Sequence, residues 1–142
     1  MDVKIVIGLI VFVGVVTLIC YLWPQINFKE MPKGLCAGNL NGKKPNWVSS
    51  KVDKADSHYV APLKITSLLT VEDAIKNHLP GITIYQRDKN NLLAYRQSPI
   101  YHFTDWICIE ADGSVTSSAT LGYGDFNQNR KLVESIRQIL QQ

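Results

Sequence analysis

Between Ile5 and Trp23 the chain carries no charged residue, and nineteen consecutive positions read IVIGLIVFVGVVTLICYLW. As a helix rising about 1.5 Å per residue, such a run crosses roughly the 30 Å of a bilayer's hydrocarbon core. Its side chains are apolar all the way round, with no polar face to turn toward water. A helix also satisfies its own backbone donors and acceptors, which is the condition lipid imposes. Tyr21 and Trp23 stand where an interfacial aromatic pair belongs, and Pro24 is expected to end the helix. A cleaved signal peptide has a shorter apolar region followed by small residues, whereas Tyr21-Leu22-Trp23-Pro24 is bulky and proline-blocked. Neither Cys20, after Ile19, nor Cys36, after Leu35, has the small neighbour that precedes a lipidated cysteine. The reading is an uncleaved signal anchor of a single-pass membrane protein.

The rest of the 142 residues has room for one small domain. The division is a transmembrane anchor over 1–24, a linker over 25–45 and an extramembrane domain over 46–142. Pro24, Pro32, Gly34, Gly38, Gly42 and Pro45 give the linker loop chemistry. As a free tether of that length it would reach on the order of 25 Å, although Leu35 and Leu40 offer apolar points for packing. Lys4 lies on one side of the anchor, Lys29 and Lys33 on the other, with Lys43 and Lys44 further out. Counted alone, these lean by one or two charges toward a cytoplasmic domain.

The net charge of +3 is small and its basic residues are scattered, with Lys43-Lys44 and Arg130-Lys131 the adjacent pairs. No nucleic-acid partner is expected from that pattern. Of three cysteines, Cys20 lies in the apolar run, leaving Cys36 and Cys108 able to meet in an aqueous domain. With no C-x-x-C and no regular spacing, the simplest expectation is two unpaired thiols and no metal site.

Tyr59–Ile65 reads as an extended segment, with Pro62 placing it at an edge or bulge. Thr70 and Asp73 make a capping-box-like start to a helix whose apolar stripe is Val71, Ala74, Ile75 and Leu79, stopped by Pro80-Gly81. Ile82–Arg87 and Leu92–Gln97 read as strands about a turn at 88–91. Phe103–Glu110 and Ser114–Leu121 read as a second hairpin about Asp112-Gly113. Leu132, Val133, Ile136, Ile139 and Leu140 recur at helical spacing in a closing helix that Asp125 and Gln128 can cap. The fold class is α+β: an antiparallel sheet of about five strands, two helices on one face, preceded by one N-terminal transmembrane helix.

No nucleophile elbow, zinc-protease helix, P-loop or dinucleotide fingerprint occurs, and no cofactor is expected. Gly122-Tyr123-Gly124-Asp125, before a helix, can expose backbone N–H groups to an anion, though a tight turn capped by Asp125 explains it without a ligand. His78, near a helix end, suits the dipole without a function. His102 and Asp105, three apart on a strand, face opposite ways. His58 follows the polar run 49–57 and is the best single histidine for a ligand contact. Asp105 shares the core face with Phe103, Ile107 and Ile109, so it requires a partner or a raised pKa. Arg130, opening the last helix, is the partner expected. The ligand-binding candidates are His58, Asp105, Tyr123 and Arg130.

Taken in order, Pro45-Asn46-Trp47-Val48-Ser49-Ser50, His58-Tyr59-Val60-Ala61-Pro62-Leu63, Phe103-Thr104-Asp105, Gly122-Tyr123-Gly124-Asp125 and Asn129-Arg130-Lys131 resemble a bacterial and plastid family, domain-of-unknown-function family 1499. The resemblance runs from about Gly34 to Leu140. Its pattern carries P-N-C-V-S-S near the domain start and G-Y-S-D…N-R-K before the last helix. Here Trp47 replaces the cysteine, removing a candidate thiol partner for Cys36 or Cys108, and 116–120 lacks the family's arginine. The family implies exported or membrane-associated domains with no established reaction, which places the domain outside the cytoplasm, on the periplasmic side. Three functions remain open: a tethered envelope domain binding a partner protein or small ligand; a hydrolase-like enzyme using His58, Asp105 and Ser49 or Ser50; or an accessory subunit docked through its helix. For the last, Gly8 and Gly14 are a faint small-residue face.

Overall fold

The computed structural model describes residues 2–38, 40 and 42–142. Helix α1 spans Val3–Ile26 with Asp2 as its N-cap, and none of its residues is buried against the rest of the chain. Thr17 Oγ1 donates to the Val13 carbonyl at 2.8 Å, so the aliphatic hydroxyl in the run is satisfied within the helix. Pro24 does not end the helix. It sits in the last turn, where its ring costs one backbone bond, and Asn27 N closes onto the Trp23 carbonyl at 3.1 Å.

The sheet comprises β1 (Trp47–Ser49), β2 (Ile82–Arg87), β3 (Asn91–Gln97), β4 (Thr104–Glu110) and β5 (Val115–Ala119), ordered β1-β5-β4-β3-β2 and antiparallel throughout. The expected α+β fold with about five strands is present, but its first strand is Trp47–Ser49 rather than Tyr59–Ile65. Pro62 and the absence of a neighbour beyond β1 keep that segment extended, joined to the sheet by one bridge between Ser49 and Tyr59. Helix α2 (Leu68–His78) begins two residues before the expected cap, and Ser67 Oγ accepts from Thr70 N at 3.1 Å. Helix α3 (Gln128–Ile139) is capped from outside by Asp125, whose carboxylate accepts from Asn127 N and Asn129 N at 2.9 Å each.

Both faces of β3 and β4 are covered, so their residues alternate between two cores. Leu92, Ala94, Ile107 and Ile109 pack under α2 and α3 with Ile75, Val133 and Ile136. Their neighbours Leu93, Tyr95, Trp106 and Cys108 face the other way, onto Leu35, Cys36 and Leu40. The segment after α1 is therefore a second layer of the fold rather than a free tether. Phe28 sets its ring edge-on to Tyr95 at 5.2 Å, Trp106 Nε1 donates to the Lys29 carbonyl at 2.8 Å, and Leu35 is fully buried. Burying one such leucine contributes about 1.5–3 kcal/mol.

Cys36 and Cys108 form a disulfide, with Cα atoms 5.3 Å apart at a sequence separation of 72. The expectation of unpaired thiols is thereby corrected. The spacing carried no signal because the pair forms only once the linker folds back across β4.

Candidate functional site

Antiparallel register across β3 and β4 sets Arg96 opposite Asp105. Both lie on the helix-covered face, one pair beyond Ala94 and Ile107, where the apolar packing runs out. Arg96 Nε and Nη2 reach Asp105 Oδ2 at 3.3 and 3.4 Å, and Nη2 also donates to the Gln128 carbonyl at 2.8 Å. The Asp105–Arg130 pair expected from the sequence is not formed. Arg130 points along the other side of α3 and donates to the Tyr59 and Ser57 carbonyls, at 2.8 Å each. Burial pushes the Asp105 carboxyl above the usual carboxylate range; Arg96 opposes that shift and nearby Asp125 adds to it.

Asp105 and Arg96 form the polar wall of a cleft of about 600 Å³ between the end of α2, the start of β2 and the first turns of α3. Leu79, Pro80, Ile82, Pro99 and Leu132 supply its apolar walls, with His78 and Ser135 at its margin. An apolar cavity of that size with a few convergent polar groups has the form of a small-ligand site.

His58 and Arg130 come together elsewhere, in a hollow of about 170 Å³ bounded also by Trp47 and Asp125. The His58 ring stacks on Trp47 with centroids 4.0 Å apart, and its two nitrogens lie 2.7 Å from Asp56 Oδ1 and 2.9 Å from the Lys44 carbonyl. Both nitrogens are thus engaged within the chain. His58 pins the loop before β1, and its backbone N–H holds the Asp56 carboxyl below its ordinary range. Trp47 provides the stacking face.

The hydroxyls do not join either group. Ser49 is fully buried, with its oxygen 2.8 Å from Thr116 Oγ1, and Ser50 Oγ accepts from Val115 N at 2.8 Å. His58, Asp105 and a serine therefore do not converge, because His58 borders β1 at one edge of the sheet and Asp105 faces α3 from its middle. Tyr123 is mostly exposed on the β5–α3 loop and lines neither cleft. The donors opening α3 are taken by Asp125, and Asn129 is fixed by Ser117 Oγ at 2.6 Å, so the Gly122–Asp125 turn is closed by its own residues.

Arg96 was the residue missed from the sequence. Its signal is alternation: Leu92, Ala94 and Arg96 fall on one face, as do Asp105, Ile107 and Ile109, and pairing β3 with β4 brings the two charges opposite.

Fold and site define an α+β domain with one five-stranded antiparallel sheet, joined at its amino-terminal side to a helix long and apolar enough to span a membrane. The chain belongs to the family described as protein of unknown function, DUF1499, whose model matches residues 39–140. No curated protein and no solved structure matches the chain.

Proposed function

We propose that this protein is a membrane-tethered domain on the oxidising side of the membrane, binding a small amphipathic ligand in the Asp105–Arg96 cleft. The observation that carries the binding is the cleft itself: about 600 Å³, apolar over most of its wall, with one carboxylate and one guanidinium at its end. Two further observations support the setting. The 24-residue α1 has a mean hydropathy of 2.9 over its most apolar window and no buried residue. The Cys36–Cys108 disulfide is a bond that persists in exported compartments and is reduced in the cytosol. It weighs against the small lysine excess beyond α1. A binding role fits better than hydrolysis by His58, Asp105 and Ser49 or Ser50, since both His58 ring nitrogens are engaged and neither Ser49 nor Ser50 lines the cleft.

Native mass spectrometry of the full chain, freshly extracted in mild detergent, tests the reading. A non-covalent adduct of small-molecule mass is expected, and Ser135→Trp, at a half-buried position of α3 that lines the cleft, should abolish it while the disulfide still forms. Equal adducts on both proteins would move the site elsewhere. A bare wild-type chain would speak for the accessory-subunit reading.

A further inference from the structure

The domain has two unlike ends. At one end the 88–90 and 111–113 turns meet, Ala111 N bonding the Asn90 carbonyl at 2.8 Å, and their side chains are polar: Asp88, Lys89, Asn90 and Asp112. The other end carries the β3–β4 loop over 98–103 and the β5–α3 loop over 120–127, linked where Thr120 N bonds the Thr104 carbonyl at 3.1 Å. There the exposed residues are Ile100 at 75%, Tyr101 at 58%, Tyr123 at 70% and Phe126 at 91%, with Leu121 and Phe103 beside them. Phe126 also holds φ at +52°, a left-handed backbone that turns a nearly bare ring outward. Such a cluster of exposed apolar side chains marks an interaction surface.

The same end is where the apolar helix is tied down. Asn27 Nδ2 donates to the Tyr101 carbonyl at 2.7 Å, Gln97 Nε2 to the Pro24 carbonyl at 2.7 Å, and Thr104 Oγ1 to the Asn27 carbonyl at 3.1 Å. Alongside, Lys29, Lys33 and Lys44 line a shallow cleft of about 390 Å³ at the ends of β1 and β5, with Glu30 the one acid among them. None of these lysines is ion-paired among the described residues. Aromatic and aliphatic tips with lysines free of ion pairs alongside are the chemistry of a bilayer's anionic headgroup layer.

We propose that these two loops seat the domain on the bilayer that α1 enters, so that the Asp105–Arg96 cleft, bounded by Ser98, Pro99 and Gln128 of the same end, opens at the lipid interface. The occupant of the loop surface is the lipid headgroup layer itself. This rests on α1 spanning the membrane, and the test separates the two.

Full chain carrying Cys20→Ser and Tyr123→Cys, with its disulfide intact, takes a single fluorescent label and is reconstituted into phosphatidylcholine–phosphatidylglycerol vesicles. A Lys89→Cys version is the distal control. Spin-labelled lipid should quench most of the label at 123 and little at 89, with aqueous iodide giving the reverse order. Adding Ile100→Ser and Phe126→Ser should return position 123 to iodide. Chain that floats with the vesicles while both positions answer only to iodide overturns the seating and leaves the anchor standing. Chain that fails to float removes both.

Discussion

Asp105 is held in a position that costs the fold something. Burial raises its pKa, so above that pKa the folded state keeps a carboxylate it binds less favourably than the unfolded chain does. The sign follows from the raised pKa: both states bind the proton at low pH, and stability is lost as pH rises through the unfolded and then the folded value. Asp105→Asn should therefore stabilise the domain at pH 7, by on the order of 1 kcal/mol, and the gain should shrink as pH falls into the carboxylate range. Chemical denaturation at several pH values measures it. A loss that grows as pH rises through the carboxylate range would mean the Arg96 pair outweighs the burial. Double-mutant cycles give a parallel check: Asp105 and Arg130 should be additive to within about 0.5 kcal/mol, and Asp105 with Arg96 should couple. A residue kept at a cost to stability, on a cleft wall, fits a ligand contact better than a structural pair.

At the scale of elements, the docked segment after α1 deserves the closest test. Its disulfide closes a span of 72 residues, for which chain entropy alone predicts about 4 kcal/mol of stabilisation. Cys36→Ser should lower stability by roughly 2–5 kcal/mol, and Leu35→Ala by about 2–5 kcal/mol, both read from denaturation midpoints. Losses below about 0.5 kcal/mol would mean the segment hangs free. These effects show which parts of the fold were legible in sequence. The hairpins about 88–91 and Asp112-Gly113 and the closing helix follow from period and turn residues, which act locally. Trp47–Ser49 is too short for any period to register, and its place at the sheet edge comes from pairing with Ser118 and Thr116 far along the chain. In 25–45 Leu35 and Leu40 were the local hint of a second layer, and its extent was not legible because Phe28, Leu35 and Leu40 become a core only against Trp106 and Cys108. Of the site, Asp105 was legible from alternation. Its partner was not, because the β3–β4 register needed to place Arg96 depends on a six-residue loop rather than a two-residue turn.

On the scale of the whole molecule, three features share one axis. The apolar helix ends at the end of the sheet that carries the aromatic loops, the lysine cleft lies beside them, and the polar turns lie at the far end. On the proposed seating such a chain has one orientation at a bilayer, with the Asp105–Arg96 cleft at the interface. The proposed side of the membrane rests on the disulfide, since charge beyond α1 differs too little to set it. Alkylation of the acid-trapped full chain in intact cells, without reductant, reads that directly. Cys20 in α1 is the internal control, being the one free thiol of the three cysteines. After denaturation with a mass-adding maleimide, one addition is predicted without reduction and three after it. Three additions without prior reduction would place the domain in the cytoplasm and contradict the account.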